Sequence, residues 1–299
     1  MKRNDLDAEF FHIALSMSPN IGAKTLDNLR QHFNDDLAAV IAASPRELQR
    51  VRGIGAKTAA EISRMDPHRV AGQIASWQRS GVAIETMQQS QYPASLRELD
   101  DGPPTLFRRG SFQPADWRNT VAIVGTRAPS QDAQFITLEL SMKLARADCT
   151  VVSGLALGID TAAHTGCLSA EGATIAVLGS GVLNVYPPGN QALAERIRES
   201  GALVSELHPY ASANAQRLVS RNRIISGLSR AVIVVESDAQ GGAMYTARFA
   251  REQNRPVYTF DLPASGNQSL IKSGAIVLKR DDPLEFVLGA LNAAAAATN

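Results

Sequence analysis

The chain has 299 residues, 44% of them hydrophobic, with 30 Lys and Arg against 29 Asp and Glu. Its net charge of +1 excludes a uniformly basic nucleic-acid coat, so any such binding has to come from local patches on one large domain and a small one. Two cysteines, Cys149 and Cys167, give no disulfide framework, and no apolar run reaches the roughly 18 residues of a membrane span, which together predict a cytoplasmic protein without a membrane partner.

The N-terminal region carries a repeat. Ile-Gly-Ala-Lys-Thr stands at residues 21–25 and again at 54–58, with Leu15, Leu26 and Leu29 around the first copy and Leu48, Ala59 and Ile62 around the second. Each copy reads as helix, tight glycine turn, helix. The pattern resembles the helix-hairpin-helix motif, in which turn amides hold a DNA backbone phosphate without reading sequence. The second copy fits better than the first, where Asn20 takes the place of the leading glycine. Gly53, Gly55 and Lys57 are its candidate phosphate contacts, with Arg46, Arg50 and Arg52 alongside. The plainer alternative is a pair of hairpins that only pack on each other.

Residues 66–81 read as one more helix, ending at Ser80-Gly81, and 82–86 as a short strand. Residues 92–110 are proline-rich, yet Tyr92, Leu96, Leu106 and Phe107 are too apolar for a flexible linker. That composition predicts packing against a sheet. The expected organisation is a helical domain over 1–80, a second domain over 81–292 and a frayed tail at 293–299.

In the second domain, apolar runs end in glycine loops at 121–127, 151–160 and 175–181, and further buried strands are expected at 231–236 and 257–260. Short apolar runs alternating with helical patterns predict an α/β, Rossmann-like, mostly parallel sheet with helices on both faces, preceded by the small all-α domain. Ligands then bind beyond the carboxyl ends of the strands, where bare amides and helix N-termini favour anions.

The loops differ in what they offer. After the first strand, Thr126 supplies a hydroxyl and Arg127 a planar donor fork suited to phosphate. Ser153 and Gly154 open the second loop, with Asp160 placed as a helix N-cap and His164 one turn on. Ser153, Asp160 and His164 include the residue types of a hydrolytic triad, but no nucleophile elbow accompanies them. Gly179, Ser180 and Gly181 begin like a dinucleotide fingerprint, with Glu206 as its ribose acid. Asn184, however, takes the third glycine position, and residues 182–189 separate the glycines from the next helix. Tyr186 in that stretch offers a face to an unpaired base. The most basic stretch, 217–230, holds Arg217, Arg221, Arg223 and Arg230 without an acid, and Ile224, Ile225 and Leu228 dock it. Gly241-Gly242, leading to Thr246, forms a last glycine loop. The five histidines lack ligand spacing, so no metal site is expected.

These motifs in this order resemble the DNA-processing protein A (DprA/Smf) family. The residues that carry the likeness are Gly125-Thr126-Arg127, 153–160, 178–181 with Tyr186-Pro187 and Asn190, 221–229, the Thr246 loop and the 92–110 lead-in. The resemblance implies a non-enzymatic, cofactor-free homodimer that binds and protects incoming single-stranded DNA and helps load a RecA-type recombinase during natural transformation. It implies DNA contacts at Arg127, Gly179, Ser180, Gly181, Arg221, Asn222 and Arg223; Thr126, Ser153, Gly154, Tyr186, Asn190 and Thr246, read from their own loop positions, are additional candidate phosphate or base contacts. Two departures stand out: Leu218-Val219 replaces the family's Phe-Pro, and Pro263-Ala264 its Pro-Gly. The rival is a nucleotide-binding or nucleotide-hydrolysing enzyme similar to the lysine-decarboxylase-like phosphoribohydrolases, whose glycine loop resembles Gly241-Gly242 through Thr246. That chemistry expects a glutamate where Phe249 stands.

Overall fold

Residues 8–18, 20–111 and 119–280 are described by the computed structural model. The chain divides into two units, Met1–Phe107 with Glu206–His208, and Arg108–Ser205 with Pro209–Asn299. The expected boundary at 80/81 thus falls inside the first unit, which retains the following strand and lead-in. The tail expected at 293–299 lies outside the described residues.

In the first unit, local capping chemistry sets the helices α1 (Ala8–Ser16), α2 (Ala23–His32), α3 (Leu37–Ala42), α4 (Pro45–Leu48), α5 (Ala56–Ser63) and α6 (Pro67–Arg79). Asp36, Ser44 and Asp66 accept from the first-turn amides of α3, α4 and α6, and Pro45 and Pro67 occupy first helical positions, where no amide is needed. The two repeats adopt one conformation: Gly22 precedes α2 at φ −88° and ψ −179°, and Gly55 precedes α5 at φ −84° and ψ 172°. Ile21 and Ile54 are both buried, in one core with Leu15, Leu29, Leu48 and Ile62. Gly53 turns at φ +92°, and a Cβ there would stand 3.2 Å from the Thr25 hydroxyl, so the second turn lies on the first repeat. Asn28 Nδ2 reinforces this by donating to the Arg52 carbonyl at 2.9 Å.

The lead-in comprises β1 (Ala83–Thr86), α7 (Ala94–Arg97) and the start of β2 (Thr105–Gly110), and Tyr92, Leu96, Leu106 and Phe107 are all buried, as their apolar character requires. Part of that burial is against helices: His12 on α1 reaches the Pro104 carbonyl at 2.8 Å, and Trp77 on α6 packs edge-on to Phe107.

The second unit holds β3 (Thr120–Val124), β4 (Thr150–Ser153), β5 (Thr174–Val177), β6 (Ala202–Ser205), β7 (Ala231–Val234), β8 (Val257–Phe260) and β9 (Ile276–Leu278). Their order is β6-β5-β4-β3-β7-β8-β9, and every pairing among them is parallel. Strands β3 to β8 are buried along their whole length, which explains their unbroken apolar runs. The helices are α8 (Gln131–Arg146), α9 (Ile159–Ser169), α10 (Gln191–Ser200), α11 (Ala215–Ser220), α12 (Asn222–Leu228), α13 (Gly242–Glu252) and α14 (Ser265–Lys272). Helices α8 and α9 close one face of the sheet over Val121, Ile123 and Val151, and α12 crosses β3, β4 and β5 from the other. The fold is Rossmann-like. Cys149 and Cys167 are buried and unbridged, with burial raising both thiols, Cys167 to about 12. No helix among the described residues is long and apolar enough to cross a membrane.

From β3 the chain winds outward through β4, β5 and β6, then returns to β7 on the other side of β3. The strand order therefore reverses beside β3, and a crevice opens at the carboxyl ends of β4, β3 and β7.

Candidate nucleic-acid interface

The loop after β3 forms the floor and one rim of this crevice. A Cβ on Gly125 would stand 2.5 Å from the Ile159 side chain and 2.8 Å from the Glu236 carbonyl, so only glycine passes between α9 and the end of β7. The Thr126 amide then donates to the Glu236 carbonyl at 2.7 Å, and its own carbonyl accepts from Ile159 at 3.1 Å. With Thr126 pinned, Arg127 is turned outward and exposed.

The loop after β4 is fixed from within. Ser153 Oγ donates to the Ile123 carbonyl at 2.6 Å, and the Asp160 carboxylate accepts from the amides of Gly154 at 3.1 Å and Ala156 at 3.2 Å. Asp160 is not the N-cap expected of it. Gly158 occupies that position, at φ +79°, and Asp160 reaches back from the first turn of α9 to hold the loop. Burial raises its carboxyl pKa, opposed first by the charge of Arg221 and then by the loop's hydrogen bonds. His164 is buried as well. Thr174 Oγ1 gives its proton to the Val151 carbonyl, so the imidazole donates to it through Nδ1 at 2.7 Å. Burial, helped by Arg221, pushes His164 down to about 3. With Ser153 already committed to a carbonyl, these three residues are not assembled for nucleophilic attack.

Arg221 sits at the junction of α11 and α12, and it is buried rather than displayed to solvent. Nη1 donates to the Gly154 carbonyl at 2.5 Å and to the Val177 carbonyl, and Nε to Asn222 Oδ1 at 3.0 Å. Its guanidinium thus ties the ends of β4 and β5 together beneath the crevice. Burial lowers its pKa to about 10, against the opposing pull of Asp160. Asn222 is buried beside it, and its Nδ2 donates to the Gly242 carbonyl at 3.2 Å. Arg223 is half-buried, with its carbonyl accepting from Gln253 at 3.0 Å. Arg221, expected as a DNA contact, is thus placed beneath the crevice with its guanidinium on two strand-end carbonyls.

Two further expectations change. Gly179, Ser180 and Gly181 are buried under residues 209–218, not bare at the rim. A Cβ on Gly179 would meet Leu218 Cα at 2.9 Å, and the Gly181 amide already donates to the Ala211 carbonyl at 2.8 Å. Asn190 is buried too, its Nδ2 donating to the Leu155 and Ala156 carbonyls and to Thr161 Oγ1, so it clips the β4 loop in place.

What the fold gathers is a crevice of about 650 Å³. Thr126 and Arg127 line one side, Gly242 and Thr246 at the start of α13 another, with Asp160 and Arg221 below and Tyr186 at the mouth. Thr246 is buried one turn into α13, and Tyr186 is exposed. Among the lining residues Arg127 is the exposed cation, with Asp238 an exposed acid on the same rim. Sequence reasoning missed Asp238. It also missed Asn267, a buried amide that accepts from the Ser237 amide and donates to the Val235 and Phe260 carbonyls, shaping the loop after β7. The signal available was a lone Ser-Gly-Asn at the start of α14, which carries no partner information. Ser153 and Gly154, expected from the sequence to touch a ligand, are buried in the loop's internal bonding.

In the first unit, Gly53, Gly55 and Lys57 are exposed on the second hairpin, as are Arg46, Arg50 and Arg52.

Comparison with known proteins agrees with this architecture. Protein Smf of Synechocystis sp. is 36% identical over 295 residues, covering 94% of this chain and 73% of that protein. DNA processing protein DprA of Bacillus subtilis is 35% identical over 207 residues, covering 68% and 70%. The X-ray structure of DNA processing protein A from Streptococcus pneumoniae superposes with a TM-score of 0.77 at 27% identity, covering 93% of this chain and 95% of that one. DNA processing protein A from Helicobacter pylori, studied for its single-stranded DNA binding mode, gives 0.63 at 25% identity, covering 71% and 96%. The model of DNA recombination-mediator protein A matches residues 83–287, and the chain belongs to that family.

Proposed function

We propose that this protein binds single-stranded DNA along the crevice without reading its sequence, and that it does so as a mediator and not as an enzyme. The observation that carries the reading is the outward fork of Arg127 opposite the N-terminus of α13, across a cleft at the sheet's switch point. A guanidinium neutralises a phosphate and releases counterions, a helix N-terminus favours the anion, and an open cleft admits a continuing strand. The binding mode studied in the Helicobacter pylori relative supports the same ligand class.

The buried groups argue against catalysis at this site. Ser153, Asp160 and Arg221 commit their polar atoms to strand ends and loop amides, and the imidazole of His164 is buried with Nδ1 on the Thr174 hydroxyl. At the position where the phosphoribohydrolase loop expects a glutamate stands Phe249, and Glu252 instead faces Arg248 at 3.6 Å on the surface of α13. Within this reading the protein acts in the cytoplasm as a homodimer, shields the strand and passes it to a RecA-type recombinase. Arg127, Thr126 and Thr246 are its contacts in the crevice, Arg221 and Asn222 position the loops, and the second hairpin holds a further phosphate through Gly53, Gly55 and Lys57.

Titrating labelled oligo-dT against duplex of equal length at two salt concentrations tests the reading. Tighter, salt-sensitive binding of oligo-dT supports it. Equal binding of the duplex, or release of free base from nucleoside monophosphates, would reject it.

A further inference from the structure

The mouth of the crevice carries an apolar lip that the fold leaves uncovered. Tyr186 is 42% exposed and Leu157 50%, and the two share a small pocket of about 60 Å³ with Pro187, Leu218 and Arg127. Tyr186 and Arg127 line the main crevice as well. Single exposed apolar residues are ordinary. Here a ring, two aliphatic side chains and a proline line one wall, next to the crevice's exposed cation. The Tyr186 hydroxyl makes no hydrogen bond to any described residue, so no polar anchor accounts for where the ring sits.

A cation beside a flat apolar surface matches the alternation within a nucleic-acid strand, a charged phosphate followed by a base with an apolar face. Base stacking on an aromatic ring tolerates any sequence, because every base has a π-face. It does not tolerate pairing: inside a duplex both faces of each base are already stacked on neighbours. Leu218 lacks a π-face, so on this wall the ring of Tyr186 alone supplies an aromatic surface.

We propose that Tyr186 is the base-stacking platform of the crevice, holding one unpaired base while Arg127 holds an adjoining phosphate, and that it thereby sets the preference for single strands. This rests on the reading of the crevice as a single-strand site.

The whole 299-residue chain, with Tyr186→Leu and Tyr186→Phe, is titrated by anisotropy with labelled oligo-dT and with an abasic strand of the same length. The wild type should hold oligo-dT more tightly than the abasic strand. Tyr186→Leu should weaken oligo-dT about tenfold and leave the abasic strand unchanged, and Tyr186→Phe should match the wild type with both. An oligomer containing 2-aminopurine should be quenched on binding the wild type and not Tyr186→Leu. Equal affinity of Tyr186→Leu and wild type for oligo-dT would overturn the proposal, as would an equal loss with both strands. Failure of the wild type to bind either strand would overturn the underlying reading too, and it is told apart because it precedes any substitution.

Discussion

The guanidinium of Arg221 fills the space in which a Cβ on Gly154 would stand, and it donates to the carbonyl of that same glycine. The glycine is there to admit a buried cation, not a ligand. Gly154→Ala should therefore displace Arg221 and destabilise by about 1–3 kcal/mol, the usual effect of overpacking. A fall in the urea midpoint at unchanged slope measures it. A loss below about 0.5 kcal/mol, the level of an ordinary surface substitution, would contradict the packing described.

The charge of Arg221 and the buried carboxylate of Asp160 depend on each other, since burial alone would disfavour both. Arg221→Met removes the charge that opposes the burial of Asp160 and leaves two strand-end carbonyls without their donor, and it should destabilise by about 3–5 kcal/mol. Adding Asp160→Asn should cost less than the sum of the two single changes, because the second substitution removes the stranded charge. Strict additivity in that cycle would show that the two groups are not coupled.

His164 makes the fold sensitive to acid. Folded, it takes up a proton at about pH 3; unfolded, at its ordinary value of about 6.5. Between those values the unfolded chain binds more protons, so stability falls as pH drops through the window, approaching about 1.4 kcal/mol per pH unit. His12, also lowered by burial, adds to the trend, while Asp160, raised by burial, opposes it. The difference between the wild type and His164→Asn isolates the imidazole. Parallel stability curves from pH 6.5 downward would mean that His164 is not held neutral by the fold.

The strands and their glycine loops were legible because a parallel sheet covered on both faces demands short, unbroken apolar runs, and 121–124, 151–153 and 231–234 meet that demand. The hairpins were legible from a repeat that shares backbone angles as well as residues. The role of Arg221 was not. A basic stretch without an acid looks solvated in one dimension, and its counter-charge, Asp160, lies about 60 residues away in the first turn of α9. Gly179 and Gly181 misled for a related reason: a glycine that admits Leu218 has the same letter as one that admits a phosphate. Burial by a distant segment leaves no local periodicity to read.

On the second hairpin, Arg52 and Lys57 are exposed and away from the apolar core of the unit. Arg52→Glu with Lys57→Glu should leave the melting midpoint in place. If the hairpin grips duplex phosphates, the double change should also flatten the log–log salt dependence of duplex binding by about 0.9 for each phosphate released. An unchanged slope would assign the second repeat to packing alone.

Arg127→Ala gives the most direct measurement: the salt dependence of oligo-dT affinity, compared with that of the wild type. The predicted result is weaker binding, a log–log slope shallower by about 0.7 for the one single-strand phosphate released, and an unaltered melting temperature, since Arg127 is exposed. Affinity and slope identical to the wild type would contradict the claim that this crevice holds the strand.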